Sequence, residues 1–174
     1  GAEASPMKPN TALHAVAQEL IDAGYREKQA VTERLTTIDD PKTLLFMQIM
    51  VEGDLYYRKD DRVVVIKGDD AVTTFFSGEG VTLESKRDIK KISVNNKLRV
   101  LLRSGIARLQ IFSDDPEMRM QAAVNLLKSA EDLDQTTLEE ALDKEENSDV
   151  RDVLLLVKGI RLLEADTEKE RLQG

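Results

Sequence analysis

The chain contains no cysteine, no tryptophan and a single histidine among its 174 residues. The lack of cysteine excludes a disulfide framework, a thiolate metal site and a cysteine nucleophile. A lone histidine cannot supply a metal site that needs two imidazoles, and the sequence shows no triad around it. Because His14 lies on the helical face opposite most of the neighbouring apolar stripe, we interpret it as an ordinary surface or boundary residue.

Aromatic residues are scarce, at 4% of the sequence, and uninterrupted apolar runs are short. The longest purely apolar run is residues 153–157, whereas a helix that crosses a bilayer needs about 18 or more apolar residues. We therefore expect no membrane span in this sequence and a core filled mainly by Leu, Val, Ile and Ala. No signal peptide is recognisable, and the initial Gly is typical of a trimmed or mature form.

Acidic residues outnumber basic ones and give a net charge of −8. Such a surface repels phosphate backbones and anionic lipid, so adhesion of the whole surface to nucleic acid or membranes is not expected. The charge is unevenly spread, because basic residues dominate residues 86–108 and acidic residues dominate residues 131–152. Either the basic stretch docks an acidic partner or lipid head groups, or both stretches are ordinary solvated helix faces. The candidate contact residues are Lys90, Lys91, Lys97, Arg99 and Arg103.

Two segments of the chain repeat one pattern about 32 residues apart. Asp115 precedes an apolar helical run at residues 120–127, and Asn147 precedes another at residues 152–157. A period of this size is typical of a helical-pair solenoid, in which each pair buries its apolar face only against its neighbours. The sequence therefore predicts a mainly α-helical, HEAT-like solenoid, an architecture that more often binds partners than performs chemistry.

Between its helical parts the sequence switches to the alternating periodicity of strands. Residues 54–94 hold most of the aromatic side chains, in short β-branched runs separated by Gly and Asp clusters. This pattern predicts a small antiparallel β-meander insert. Its expected strands are 55–58, 62–66, 72–76 and 81–83. The predicted organisation is one domain with a flexible lead (1–9), helical repeats (10–53), the β insert (54–94), further helical repeats (95–165) and a charged tail (166–174) that frays.

Capping residues and apolar spacing predict the ends and inner faces of the helices. The second helix is expected to turn Ala30, Val31 and Leu35 inward, and the third to bury Leu45 among its neighbours. The last clear helix is expected to end near residue 163. The expected caps are, in chain order, Asn10 or Thr11, Asn95 or Asn96, Asp115, Thr136 or Thr137, and Ser148 or Asp149.

Four Asp pairs, at 39–40, 60–61, 69–70 and 114–115, are the main candidates for chemistry. Paired carboxylates can hold Ca²⁺ or transfer protons. Each pair, however, lies beside a Pro, a Gly or a strand end, where Asp commonly caps a helix or bonds its own turn, and none fits a calcium loop. The glycines at 78 and 80 lack the Lys and the following helix of a phosphate-binding loop. We therefore predict a protein that is not an enzyme and has no cofactor or metal site.

Arg119 and Arg151 occupy matching positions in the two repeated segments. We predict that each guanidinium bonds the turn Asp, or the helix end of the neighbouring repeat, and so locks adjacent helical pairs together. Ligand binding by these arginines is the alternative. The residues assigned to this repeat-locking role are Asp115, Arg119, Asp149 and Arg151.

Several blocks of the sequence together resemble a known family. They are Val94-Asn95-Asn96-Lys97-Leu98-Arg99, Ala107-Arg108-Leu109, Ser113-Asp114-Asp115-Pro116, Arg119, Ala122-Ala123 and Leu126-Leu127-Lys128-Ser129. The combination resembles the region that precedes the membrane part of urea ABC transporter permeases. Residues 54–59 resemble the segment of that region that leads from helices into a short β insert. The resemblance covers about residues 12–164 and is sharpest in the Val-Asn-Asn block.

The resemblance implies a domain on the extracytoplasmic (periplasmic) face of the inner membrane, attached to a permease of the branched-chain amino-acid transporter type. Such a permease works with a second permease subunit, ATPase subunits and a soluble urea-binding protein. This sequence departs from the full family pattern because it has no membrane helices, so it is not expected to transport, and no urea-binding residue can be carried over.

The expected function is a non-catalytic interaction domain that contacts the solute-binding protein or the partner permease subunit. The main alternative is a cytoplasmic HEAT-type scaffold or adaptor unrelated to transport. An enzyme built on helical repeats is a third hypothesis, which no constellation of residues in the sequence favours.

Overall fold

The computed structural model describes residues 11–173, which form seven α-helices and one five-stranded antiparallel sheet. The helices are α1 (Ala12–Asp22), α2 (Tyr25–Leu35), α3 (Thr43–Glu52), α4 (Asn96–Ile111), α5 (Pro116–Lys128), α6 (Gln135–Lys144) and α7 (Ser148–Gln173). The strands are β1 (Leu55–Arg58), β2 (Val64–Lys67), β3 (Val72–Thr74), β4 (Gly80–Val81) and β5 (Ile89–Lys91). The prediction of a mainly helical chain with a small antiparallel sheet is confirmed. The predicted lead (1–9) and Asn10 lie outside the described residues.

Contacts divide the chain into two units, residues 1–102 and residues 103–174, and the division falls inside α4. The first unit holds α1, α2, α3 and the whole sheet. The second unit holds the end of α4 together with α5, α6 and α7. Residues 54–94, expected as the β insert, begin just after α3 and end just before α4.

A polar cap and an apolar stripe define α1. The side-chain oxygen of Thr11 accepts a hydrogen bond of 3.1 Å from the backbone N–H of His14, which makes Thr11 one of the predicted caps. The buried stripe consists of Leu13, Val16, Ala17 and Leu20. These positions share one side of the helix, so the side that carries His14 faces away from this part of the core.

The buried face of α2 differs from the prediction. It consists of Lys28, Val31, Thr32 and Leu35, whereas Ala30, expected inside, is exposed. The Lys28 amino group donates a hydrogen bond of 3.0 Å to the backbone carbonyl of Ser93. A buried amino group that finds such an acceptor can replace a small apolar residue on the inner face, and hydrophobic spacing alone does not reveal the exchange.

A left-handed glycine ends α3. Gly53 has φ of 84°, a conformation that costs little only for a residue without Cβ. Its N–H and that of Asp54 bond the last carbonyls of the helix, at 3.1 Å each, as is usual at such helix ends. Leu45, predicted to be buried, is 49% exposed, whereas Phe46, Met47, Ile49 and Met50 are buried.

The sheet has the strand order β4-β3-β2-β1-β5, and every neighbouring pair is antiparallel. The first four strands form the predicted meander. β5 was not predicted, because a strand of one Ile and two Lys residues shows no apolar alternation, and its pairing with β1 identifies it only in three dimensions. β2 begins at Val64 and not at 62, since Arg62 has φ of 60° and belongs to the preceding turn.

Leu, Ala and Val side chains form the core of the second unit, with Ala123 and Leu126 from α5, Leu138 and Leu142 from α6, and Val150, Leu154 and Val157 from α7. Asp115 caps α5 as predicted, and its carboxylate accepts from the N–H of Glu117 at 2.9 Å.

Two other caps differ from the prediction. Asp134, and not Thr136 or Thr137, accepts from the backbone N–H of Thr137 at 2.7 Å. Asn147, and not Ser148 or Asp149, accepts from the N–H groups of Asp149 and Val150 at 3.0 and 3.1 Å. In each case a short Asp or Asn side chain one to three residues earlier takes the position that the prediction gave to Ser, Thr or Asp.

α7 is longer than predicted. It continues to Gln173 rather than ending near residue 163, so residues 166–173, expected to fray, are helical. Its last fully buried residue is Val157. The last side chain that ties it to the rest of the unit by hydrogen bonds is Arg161, whose Nη1 donates to the carbonyls of Ala130 and Leu133 at 2.9 and 2.7 Å.

Replacement of Gly53 by Ala tests the left-handed end of α3. A Cβ at a φ of 84° is strained, so we expect Gly53→Ala to lower the free energy of unfolding by about 1–2 kcal/mol, measured by urea denaturation. Gly80→Ala is the matched control, because its φ is not positive and nothing lies within 4 Å of the added Cβ. Its expected change is within about 0.5 kcal/mol. Equal losses in the two variants would contradict the assignment.

Candidate functional site

Lys90, Lys91, Lys97 and Arg99, together called the cationic edge, lie at one side of the sheet and at the start of α4. β5 is an edge strand, because it pairs only with β1 in the sheet. Its buried residue Ile89 anchors it, while Lys90 and Lys91 are exposed. Four of the five predicted contact residues therefore come from one ten-residue stretch of the first unit.

Lys90 lies close enough to Lys28 of α2 for the two amino groups to interact. Its charge acts on the amino group of Lys28, which is buried and bound to the carbonyl of Ser93 between β5 and α4. Burial lowers the pKa of Lys28, and the neighbouring charge of Lys90 lowers it further. The sequence did not single out Lys28, because a lysine between apolar positions of a helix looks like a surface residue.

Lys91 follows Lys90 in the strand and points to the opposite face of the sheet. Its amino nitrogen lies 5.7 Å from the ring centroid of Tyr56, and that of Lys67 lies 5.5 Å from the same ring. The half-buried Tyr56 is thus flanked by two cations. These contacts orient the lysine stems while both amino groups stay near solvent.

Lys97 and Arg99 stand in the first turn of α4, which Asn95 caps through a hydrogen bond of 2.9 Å from the N–H of Leu98. Leu98 is buried and fixes this turn, Lys97 is exposed, and the guanidinium of Arg99 donates to the Asn96 side chain at 2.8 Å. The Asn-Asn pair therefore caps the helix and orients one of its cations.

Arg103, the fifth predicted contact residue, belongs to the second unit. It lies close enough to Asp132 to act on its charge: burial raises the pKa of Asp132, Glu131 raises it too, and Arg103 opposes both. Arg103 therefore has an acidic neighbour of its own and is not part of the cationic edge.

Arg119 connects α5 to the end of α6. Its Nε and Nη2 donate to the two carboxylate oxygens of Glu145 at 2.9 and 3.2 Å, and its Nη1 donates to the carbonyls of Ser113 and Asp114 at 2.8 and 3.2 Å. Glu145 is the C-cap residue of α6, and its side chain is 2% exposed. The guanidinium thus bonds both the turn before its own helix and the end of the next one.

Burial disfavours the charged form of Glu145, but several donors outweigh it. The guanidinium of Arg119 and the backbone N–H of Asn147 hold the pKa of Glu145 below its ordinary value despite the desolvation. The sequence did not identify Glu145 as the acceptor, because residues 145 and 146 are both Glu and only the fold distinguishes the buried one from the exposed one.

Arg151, the matching residue of the second repeated segment, donates from Nη1 to the carbonyl of Leu142 in α6. Arg119 and Arg151 therefore both reach the C-terminal part of α6, one from α5 and one from α7. The two predicted Asp residues act differently. The carboxylate of Asp115 caps α5, and Asp149 is held through its backbone N–H by Asn147. Neither carboxylate forms a salt bridge with either arginine in residues 11–173.

A cavity of about 580 Å³ opens beside the outer face of α1, within the first unit. Thr11, His14 and Gln18 line it from this face, opposite the buried stripe. The other walls come from the residues before α3, the start of β2 and the loop between β3 and β4. The half-buried His14 ring lies 5.0 Å from that of Phe76, so the boundary position predicted for His14 is the wall of a cavity. The sequence did not indicate that Phe76 would meet it.

Arg119→Ala tests the connection between α5 and α6. The substitution leaves the buried carboxylate of Glu145 without its cation, so we expect the free energy of unfolding to fall by about 3 kcal/mol and the melting temperature to fall with it. Lys144→Ala is the control, because Lys144 pairs with Glu140 at the exposed surface, where such a pair contributes less than about 1 kcal/mol. An unchanged melting curve for Arg119→Ala would count against the repeat-locking role.

Glu145→Gln tests the ionised state of the same pair. Because the folded-state pKa of Glu145 is depressed, its stabilisation is fully present above the unfolded pKa of about 4.3 and is lost as pH falls through the folded pKa. We therefore expect the stability difference between the unsubstituted chain and Glu145→Gln, from urea unfolding, to be largest near neutral pH and to shrink below about pH 4. A difference that stays constant across this range would show that Glu145 is not held ionised.

Residues 11–173 contain no helix that is both long and apolar enough to span a bilayer, and no group of three or more His, Cys, Asp or Glu residues placed to hold a metal ion. No family model, no curated protein and no solved structure matches this chain.

Proposed function

We propose that this chain is a non-catalytic interaction domain with HEAT-like helical repeats that belongs to a urea-type ABC transporter permease. In this proposal the domain lies on the extracytoplasmic face of the inner membrane. The cationic edge contacts an acidic surface of the solute-binding protein or of the partner permease subunit. The exposed pair Lys90 and Lys91 on a sheet edge, followed at once by Lys97 and Arg99, is the observation that carries the proposal.

The block of sequence that most resembles the permeases has a defined place in the fold. Residues 94–99 connect β5 to α4, with Asn95 as the cap and Leu98 in the core. In the same block Lys97 is exposed, and Arg99 is half-buried and donates to the Asn96 side chain. A stretch that fixes a helix start and presents two cations from it is well suited to display charge at a constant position.

The arrangement of the second unit supports the HEAT-like part of the proposal. α5 and α7 begin at Pro116 and Ser148, about 32 residues apart, each after an Asp or Asn cap. Both contribute to one core with α6. Arg119 and Arg151, at matching positions, bond the same end of α6. A repeated start, a repeated arginine and a shared core are the features of stacked helical pairs.

The chemistry of the strand edge favours recognition by charge over addition of another strand. Lysines on an edge strand oppose pairing with a second strand, because the amino groups would have to be desolvated against it. An acidic partner instead meets the lysines and Arg99 as ion pairs, which speed association and select the partner more than they add affinity.

Charge reversal at the cationic edge tests the contact. We expect the triple variant Lys90→Glu, Lys91→Glu, Arg99→Glu to retain the transporter's solute-binding protein, or the partner permease subunit, at least about tenfold less well than the unsubstituted chain in a pull-down at low salt. Retention by the unsubstituted chain should also weaken as salt is raised.

The matched control is the triple variant Lys128→Glu, Lys169→Glu, Arg171→Glu, which makes the same change of net charge at exposed positions of α5 and α7. It should behave like the unsubstituted chain. If the edge variant and the unsubstituted chain retain the partner protein equally well, the cationic edge is not the contact surface.

The reading frame of the gene separates the proposal from a cytoplasmic HEAT-type scaffold. A permease domain requires several apolar spans encoded after residue 174, whereas a stop codon soon after this position would favour the scaffold.

A further inference from the structure

The cavity beside α1 has the size and the walls of a small-molecule site. Its volume of about 580 Å³ falls within the roughly 300–1,000 Å³ of most ligand pockets. Its lining comes from five separate segments of the first unit: α1, the residues before α3, the end of β1, the start of β2, and β3 with the loop after it. A cavity made by so many connected segments is a property of the fold and not of one loop.

One wall of the cavity is aromatic, and the rings packed against it hold it in place. The Phe76 ring meets His14 at 5.0 Å with an interplanar angle of 53°, and meets Phe75 edge-on at 4.9 Å. Phe75 in turn lies edge-on to the fully buried Phe46 at 5.1 Å. This series of rings fixes the orientation of Phe76, so the cavity offers a flat π surface that needs little ordering when a ligand arrives.

The cations at the cavity are already bound by the protein. The amino group of Lys42 donates to the carbonyl of Phe76 at 2.7 Å. The guanidinium of Arg58 donates to both carboxylate oxygens of Asp61 at 2.9 and 2.7 Å and lies 3.8 Å from Asp60. The charge of Arg58 is thus offset by these carboxylates, whereas Lys42 bonds a neutral carbonyl and keeps its positive charge.

Two carboxylates at the cavity, in contrast, are not paired with cations in residues 11–173. Glu79 is held through its backbone N–H, which donates to the hydroxyls of Thr74 and Ser77 at 3.1 and 3.3 Å. Asp40 accepts from the backbone N–H of Lys42 through one oxygen. Neither Asp40 nor Glu79 forms a salt bridge within the part of the chain that the structure describes.

The charge balance of the cavity is therefore negative. The lining holds the carboxylates Asp40 and Glu79 and the cations Lys42 and Arg58, and Asp61 and Asp60, which lie outside the lining, offset the charge of Arg58. A flat aromatic wall next to carboxylates without cationic partners favours a positively charged guest, which gains both from ion pairing and from the face of the ring.

We propose that the cavity between α1 and the β3–β4 loop binds a small organic cation whose apolar or aromatic body lies on Phe76 and His14 and whose amine meets Glu79 and Asp40. This site is separate from the cationic edge and does not depend on the transporter assignment. The polar side chain of Gln18 also lines the cavity.

Three probes of nearly equal shape test the charge preference: phenethylamine, 2-phenylethanol and phenylacetate. His14 is the only histidine in the chain, so its imidazole proton signals in an NMR titration report on the cavity without further assignment. We expect phenethylamine to shift these signals saturably, 2-phenylethanol to bind about three- to fivefold more weakly, and phenylacetate to bind most weakly. No saturable shift with any probe, or tighter binding of phenylacetate, would overturn the proposal.

Two variants locate the guest. Glu79→Gln should weaken binding of phenethylamine about three- to fivefold and leave 2-phenylethanol unchanged, because only the amine uses the carboxylate. Glu33→Gln, at an exposed position of α2, is the control and should change neither. Phe76→Leu, which keeps an apolar side chain, should weaken both probes. If phenethylamine binds Glu79→Gln and the unsubstituted chain with equal affinity, the amine does not contact this carboxylate, and the proposal is wrong.

A chain that begins at Thr11 completes the test. If it binds phenethylamine as the full chain does, the cavity is open to solutes and the proposal stands. If only the shortened chain binds, residues 1–10 compete for the cavity, and the site is not a solute site in the full chain.

Discussion

Burial of one apolar stripe per helix is the constraint on which the rest of this structure depends. α1, α2, α3 and α6 have only 10 or 11 residues each, and isolated helices shorter than about 12–15 residues are marginal in water. They persist because each stripe leaves water, at about 1.5–3 kcal/mol for a large apolar side chain that becomes fully buried. Since a stripe occupies one side of its helix, the other side is available for other roles. In α1 that side carries His14 and Gln18 to the cavity.

Buried polar groups connect particular helices and strands to each other by hydrogen bonds, which apolar packing alone does not do. Lys28 ties α2 to the segment between β5 and α4, and the pair of Arg119 and Glu145 ties α5 to the end of α6. Such groups are costly when they lack a partner, so each admits few arrangements of the elements around it. The hydroxyls of Thr32 and Thr43 are exceptions, since both are buried without a hydrogen-bond partner in the described part of the chain, at a cost of about 1–3 kcal/mol each.

The sequence predicted features that follow from local periodicity and missed those that follow from contacts between distant residues. Apolar spacing located the helices, and β-branched runs located the meander, because both patterns repeat within a few residues. β5 depends on its pairing with β1, the burial of Lys28 depends on Ser93, and the choice of Glu145 over its neighbour depends on Arg119. Of the proposed sites, the exposed cations could be found by counting charge. The cavity could not, because His14 and Phe76 meet only through the fold.

The length of α7 has a consequence for its local stability. Its base is fixed by the buried residues through Val157 and by the bonds of Arg151 and Arg161, while residues 162–173 are exposed on all sides. At about 1.5 Å per residue this exposed part is roughly 18 Å long, and a helix of this length without packing is only marginally stable in water. Arg161, with its bonds to the carbonyls of Ala130 and Leu133, therefore marks the outer limit of the part of α7 that the unit holds in place. Beyond Arg161 we expect the helix to unwind and re-form locally, at a much lower free-energy cost than the opening of the core.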